Sequence, residues 1–223
     1  MVKLTEYSAT NLFAEAHVDP EKWNLLPPDN EVAQTVEAIA LRGIAVVRAK
    51  NGEIALEILK DLIPPEAEVM YGSSTTLAEI GYDEYVNSDE SQWNDLHRAI
   101  IAENDEEKRR ALRRKSVTAD YFISGANAIA QSGEIIACDK VGSRVGAWPY
   151  AAAHLIIVSG TNKIAPTLDL ALRRVWEYAC PLENARAQRA YGASSEIGKC
   201  VILAKEEIEG RVTLILIDEP LGY

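Results

Sequence analysis

Four short stretches concentrate residues that can bind or polarise an oxygen-rich ligand. The first is YGSSTTLAEIG, Tyr71 to Gly81, in which an apolar strand ends at Gly72 and the hydroxyl residues Ser73, Ser74, Thr75 and Thr76 lead into a short helix carrying Leu77, Glu79 and Ile80. Small hydroxyl residues at a strand-to-helix junction offer both N–H and O–H donors to a phosphate or carboxylate. Four in a row exceed what one helix cap needs. No lysine follows the glycine in the Walker spacing, which excludes a P-loop. The second stretch opens with the strand Tyr121 to Ile123, broken by Ser124 and Gly125. Ala126 to Gln131 then predict a short helix, whose free N–H groups favour an anionic or carbonyl oxygen. In the third, Ser132-Gly133 stop that helix, Glu134 to Ala137 read as a strand, and Asp139, Gly142, Ser143 and Arg144 follow in a turn-rich loop. The fourth is HLIIVSG, His154 to Gly160, a buried strand with Thr161, Asn162 and Lys163 at its carboxyl end. Ligands of open α/β sheets bind outside the carboxyl ends of strands. Lys163 can therefore hold an anion or polarise a carbonyl, with Arg144 as a second charge partner. Glu79, Glu134 and Asp139 are the candidate acid/base groups. Each also has a plain structural use, as helix-face charge, strand-edge residue and turn former respectively.

The elements that must position these residues follow from periodicity. Residues 1–28 read as a polar, irregular arm, which Trp23, Leu25 and Leu26 can pin to the body ahead of Pro27-Pro28. Residues 29–223 read as one α/β domain. Asp29 or Asn30 caps a helix with Val32, Val36, Ile39 and Ala40 on one face, stopped at Gly43. A strand at Ile44 to Val47 follows. Asn51 then caps a helix with Ile54, Ile58, Leu59 and Leu62 on its face, ended by Pro64-Pro65, and Glu68 to Tyr71 make the next strand. Helices alternating with strands through tight links mean a parallel sheet with helices packed on it. Residues 82–117 read as mostly helical. Within them NDEEKRRALRRK reads as a solvated helix, and its basic cluster, Arg113 included, can attract the tail of an anionic ligand. Pro166 and Thr167 open a helix, and Cys180 to Gly192 read as helix plus turn. Val201 to Ala204 and Arg211 to Ile217 predict a C-terminal β-hairpin around Glu206 to Gly210.

Composition excludes several classes. The 223 residues are 48% hydrophobic and 26% charged with a formal net charge of −11, so the basic footprint of a nucleic-acid binder is missing. Apolar runs such as Val212 to Ile217 are too short to span a bilayer, and the first residues lack the charged-then-apolar pattern of a signal peptide. A cytoplasmic protein without a membrane partner is expected. Cys138, Cys180 and Cys200 are widely spaced and read as buried thiols, and His17, His97 and His154 form no ligand pattern. The residues give no metal ligand set and name no cofactor. A homo-oligomer is expected.

In combination the motifs point to a family. DYFISGANAIAQSGEIIACDKVGSRVGAWPY with HLIIVSGTNKIAPTLDLALRRV resembles the LUD family of lactate-utilisation proteins, as does the upstream YGSSTTLAEIG. The matching positions include Asn127, Asp139, Arg144, Asn162, Lys163, Asn184, Arg186 and the closing Leu221-Gly222. The resemblance implies a three-layer α/β/α sandwich with a mostly parallel sheet, similar to the ribose-5-phosphate isomerase, glucosamine-6-phosphate deaminase and CoA-transferase superfamily. It adds Asn127 to the ligand-binding set. It also implies iron–sulfur partner subunits, because some LUD proteins belong to a multi-subunit system that oxidises L-lactate to pyruvate. Two departures bear on this. Gln131-Ser132 stand where many members read Glu-Thr, and a glutamine cannot act as a carboxylate base. Only Cys200 stands where some relatives carry a cysteine-rich insertion, which argues against an intrinsic cluster. Two functions follow from the resemblance. One is a subunit or accessory protein in oxidation of L-lactate or a related 2-hydroxy acid, binding a small carboxylate. The other is a stand-alone enzyme acting on a phosphorylated or carboxylated small molecule of the sugar phosphate, folate or acyl-CoA class.

Overall fold

The apolar runs of the sequence become the strands of one parallel sheet in the computed structural model, which describes residues 4–223. In chain order the strands are β1 (Ala45–Ala49), β2 (Glu68–Tyr71), β3 (Asn94–Asp95), β4 (Tyr121–Gly125), β5 (Ala128–Ala130), β6 (Ile135–Asp139), β7 (His154–Gly160), β8 (Ile164–Ala165), β9 (Lys199–Leu203) and β10 (Val212–Ile217). The helices are α1 (Ala9–Ala16), α2 (Pro20–Trp23), α3 (Asp29–Ala40), α4 (Gly52–Leu62), α5 (Thr75–Glu79), α6 (Tyr82–Val86), α7 (Leu96–Ala102), α8 (Glu106–Lys115), α9 (Leu168–Arg174) and α10 (Cys180–Tyr191). The main sheet has the order β1-β10-β7-β4-β2-β3, with every pair parallel. A smaller sheet has the order β8-β5-β6-β9 and is mixed.

Side-chain parity divides the strands between two cores. Ile123, Ile156, Val158, Ile215 and Ile217 face Ala55 and Leu59 of α4, Leu77 of α5 and Tyr82 of α6. Phe122, Leu155, Ile157, Leu214 and Leu216 face α3 and the inner side of the small sheet, with Trp148 between. Burial on both faces explains why these strands read as continuous apolar runs rather than alternating ones. The result is a three-layer α/β sandwich. Local signals work as the sequence suggests. The Asn51 side chain accepts from the Ile54 N–H at 2.9 Å to start α4, and Thr167 does the same for Leu170 at 3.2 Å to start α9. Among the described residues no helix is long and apolar enough to cross a membrane.

Three expectations need correction. Ala126 to Gln131 form no helix, because Ala128–Ala130 is β5, paired with β6 on one side and β8 on the other. The Asn127 and Gln131 N–H groups donate to Ile136 and Ala165 carbonyls at 2.8 and 2.9 Å, so the free N–H groups of a helix start do not exist there. The two C-terminal strands are both present, but β9 joins the small sheet beside β6 while β10 inserts between β1 and β7. Two parallel neighbours satisfy both edges of β10, which a hairpin would leave half open. The arm read as irregular carries α1 and α2, while its residues 1–3 lie outside the described residues. Trp23 does pin it, packing with Leu12, Tyr178 and Leu182, whereas Leu25 and Leu26 remain exposed.

Ile157 is fully buried at the centre of this sheet. Ile157→Ala is expected to lower unfolding free energy by about 2–5 kcal/mol, from lost transfer energy plus a residual cavity. Urea unfolding checks this, and a cost below about 1 kcal/mol would contradict the packing described.

Candidate functional site

In a parallel sheet all carboxyl ends share one edge. Here that edge carries residues 72–74 after β2, Ala126 and Asn127 after β4, Thr161 to Lys163 after β7, and the segment 218–223 after β10. A cleft of about 350 Å³ opens over it, floored by the strand-end loops and walled by α10 and residues 195–197.

The hydroxyl loop is fixed first. Ser74 caps α5, its Oγ accepting from the Leu77 N–H at 3.4 Å, which leaves Ser73 exposed and Thr75 and Thr76 buried. Two glycines let the neighbouring walls approach. A Cβ on Gly72 would lie 2.6 Å from Arg144 Cδ, and one on Gly125 would lie 2.7 Å from Ser74 Oγ.

Lys163 has only 1% of its surface exposed. Its ammonium donates to Thr76 Oγ1 and the Ala126 carbonyl, both at 2.9 Å, and to the Tyr223 carbonyl at 3.3 Å. Burial drives its pKa well below the ordinary lysine value, Arg174 and Arg144 push the same way, and Glu79 opposes them. Arg174, equally buried, donates to the Trp23 carbonyl at 3.1 Å and to the Asn127 carbonyl, and its guanidinium lies 4.9 Å from the Tyr178 ring centre. Burial lowers its pKa to about 10. Glu79 lies just behind the cleft lining, accepting from the Gly222 N–H at 2.6 Å. Burial raises its pKa against the pull of that N–H and of Lys163.

Arg144 reaches across the β4 and β6 ends. It donates to the Gly125 carbonyl and to Asn127 Oδ1, both at 3.0 Å, and to the Cys138 carbonyl. The Asp139 carboxylate accepts from the N–H groups of Gly142, Arg144 (3.0 Å) and Val145 (3.1 Å). That pattern organises the 140–145 loop, which is the turn-forming use of an aspartate.

The cleft therefore gathers Gly72, Ser73, Ser74, Thr75, Thr76, Gly125, Asn127, Asp139, Arg144 and Lys163. Other candidates lie apart. Ser124 is buried, its hydroxyl turned to the Gly125 carbonyl at 3.2 Å. Asn162 joins Asn24 (2.7 Å) to the Leu221 N–H (3.3 Å). Glu134 sits at the β5–β6 turn, paired with Arg42 and accepting from the Ser132 hydroxyl. Of the cysteines only Cys138 is buried, and burial pushes its thiol pKa up to about 12. Cys180 is half-buried and Cys200 exposed, contrary to the expectation for both.

Several cleft residues escape sequence reasoning: Glu183, Tyr191 and Tyr223, together with the supporting Arg174. Arg173 and Arg174 look alike in sequence. Yet Arg173 is solvated and paired with Glu177 at 2.8 Å, while Arg174 holds a strand-end carbonyl. The one available signal was the position of α9 directly after the β7 strand-end loop.

Comparisons with known proteins add a family. A sequence model of the LUD domain matches residues 32–215. A search of curated proteins returns no significant match. Among solved structures, a protein of the DUF162 family from Deinococcus radiodurans superposes with a TM-score of 0.47 at 14% identity, over 86% of this chain and 98% of that one.

Glu134 gives a test that separates scaffold from cleft. Burial alone would raise its pKa, but Ser132, the local backbone N–H and Arg42 together hold it below the ordinary glutamate value. A depressed carboxylate pKa stabilises the fold above the unfolded-chain value, and that contribution is lost as pH falls through the folded value. Glu134→Gln should thus be less stable than the wild type near neutrality, with the gap closing below pH 4.5. Urea midpoints across that range check the sign, and a gap that widens in acid would refute the ion-pair account.

Proposed function

The chain belongs to the LUD domain family, a lactate-utilisation-related family, and from that membership and the cleft together we propose that it binds a small carboxylate or phosphorylated ligand at the carboxyl ends of β2 and β4. In this reading it serves as a subunit or accessory protein in the oxidation of L-lactate or a related 2-hydroxy acid, with iron–sulfur partner subunits carrying the electrons. One observation supports it most: the Ser73 to Thr76 loop shares one cleft with Arg113, Lys140, Arg144, Lys163 and Arg186, against Asp139, Glu183 and Glu196. Hydroxyl and cationic donors gathered at strand ends are suited to anionic oxygen.

The alternative, a stand-alone acid/base enzyme on a phosphorylated or carboxylated small molecule, draws less support. Glu79 and Glu134 are not among the cleft lining. Asp139 already accepts three backbone N–H bonds. Of the other lining carboxylates, Glu183 is tied to Arg186 through two contacts of 2.7 Å, and Glu196 is exposed.

The test is calorimetric titration and thermal shift of the whole chain with L-lactate, pyruvate and inorganic phosphate, repeated on Ser73→Ala and Arg113→Ala. Both side chains are exposed, so folding should be unaffected. A ligand at one hundred times its dissociation constant should add about 2.7 kcal/mol of stability, and the two variants should weaken binding. Silence from every anion would remove the anion-binding reading.

A further inference from the structure

The wall of the cleft formed by α10 has a chemistry the strand-end loops lack. Arg186 has 7% of its side chain exposed, and its Nε and Nη2 both donate to Glu183 at 2.7 Å. The Tyr223 hydroxyl donates to the same carboxylate at 3.3 Å and steadies it. The third guanidinium nitrogen, Nη1, is buried and has no partner among the described residues. Buried donors are nearly always satisfied, and this one belongs to a residue that lines the cleft, where a bound ligand or water can supply the acceptor. Glu183 already neutralises the guanidinium, so the acceptor that suits Nη1 is a carbonyl or ring nitrogen rather than a second full negative charge.

What covers this guanidinium is aromatic. The Tyr191 ring centre lies 5.3 Å from the Arg186 Cζ, and Tyr191 is 67% exposed. It is the last residue of α10, and Gly192 follows in the left-handed region at φ +63° with open space around its Cα. The ring thus lies against the guanidinium at the exposed end of α10. An exposed phenol beside an in-plane guanidinium donor suits a flat heteroaromatic ring, which can stack on Tyr191 while its edge nitrogen or carbonyl accepts from Nη1. Glu183, Arg186, Tyr191 and Tyr223 all line the same cleft as Ser73 to Thr76. At about 350 Å³ that cleft falls among pockets that enclose drug-sized ligands, well beyond what a three-carbon acid fills.

We propose that Arg186 and Tyr191 form a second subsite of this cleft that receives a planar heteroaromatic ring, so that the ligand is a phosphorylated compound bearing such a ring, of the nucleotide class. This rests on the anion-binding reading above, with the phosphate at the Ser73 to Thr76 loop. Glu183 and Tyr223 act as positioning residues that orient Arg186. No bond is made or broken in this step. The assignment concerns recognition, and it gives the domain a co-substrate rather than the hydroxy acid as its ligand.

A matched pair of probes tests it. Ribose 5-phosphate and adenosine monophosphate share the phosphate and sugar and differ by the ring. Flavin mononucleotide supplies a larger ring, and inorganic phosphate none. Calorimetric titration of the full chain should show the ring-bearing phosphates binding about tenfold or more tightly than ribose 5-phosphate, the size of one stacking contact. Tyr191→Ala, an exposed position that the core does not use, should erase that advantage and leave ribose 5-phosphate binding unchanged. Arg186→Lys should reduce it while keeping the charge. Equal affinity for ring-bearing and ring-free phosphates, or an advantage that survives Tyr191→Ala, would overturn the subsite and leave the anion reading intact. If no phosphate binds at all, the subsite fails, and the anion reading fails with it only where L-lactate and pyruvate are silent too.

Discussion

The strand-end edge of this protein depends on one buried ammonium. Lys163 reaches acceptors on three separate segments, the start of α5, the bend after β4 and the segment after β10. A charge removed from water this completely persists only where its donors are satisfied. Here all three are, so the three segments cannot separate without stranding it. Arg174 places a second buried cation beside it, holding the Asn127 carbonyl next to the Ala126 carbonyl held by Lys163, although its Nη2 has no partner among the described residues. Two buried cations thus grip consecutive carbonyls at the point where the chain leaves the main sheet for the small one. Packing around the knot is tight: a Cβ on Gly222 would meet Thr76 Oγ1 at 2.2 Å and Lys163 Nζ at 3.2 Å.

That constraint assigns different work to residues that look equivalent in sequence. Lys163 and Arg144 are both cations at the cleft, yet both direct their donors at protein carbonyls. They build the floor and contribute field, whereas the exposed Arg113 and Ser73 stay free to meet a ligand directly. Asp139 holds the loop that carries Arg144, so the carboxylate and the guanidinium are coupled through backbone rather than through an ion pair.

How far the fold can be read from the sequence follows from which forces are local. Asn51, Thr167 and Gly192 act within one turn of their helices, and the apolar runs of β4, β7 and β10 are buried on both faces, so all of these were legible. Ala128–Ala130 was not. Three apolar residues are too few to show a period, and their conformation is decided by pairing with β6 and with β8, some 35 residues further on. The fate of β10 was equally non-local, since a short turn before it suggests a hairpin while the two parallel neighbours that claim it lie far away in sequence. For the site, hydroxyl residues at a strand end announce themselves by type. The partner of Glu134 is 92 residues distant, and the burial of Arg174 and Arg186 is a property of packing. Residue types therefore point to the floor of the cleft, and on its far wall only the family resemblance marks Arg186.

The charge balance bears on how such a cleft can select. The chain carries a net charge of −11, so its long-range field repels anions. Attraction must come from donors within about a Debye length, roughly 8 Å at physiological ionic strength. Those donors are gathered at the hydroxyl loop and the surrounding cations, while the opposite wall offers an internally neutralised guanidinium and an exposed ring. A small anion gains only the near contact and still meets the unfavourable field. A ligand with an apolar or aromatic body gains from both walls, and its affinity should depend less on salt because part of it is not Coulombic. On the two-subsite proposal, an acidic protein with a locally cationic cleft discriminates by the body of its ligand more than by its charge.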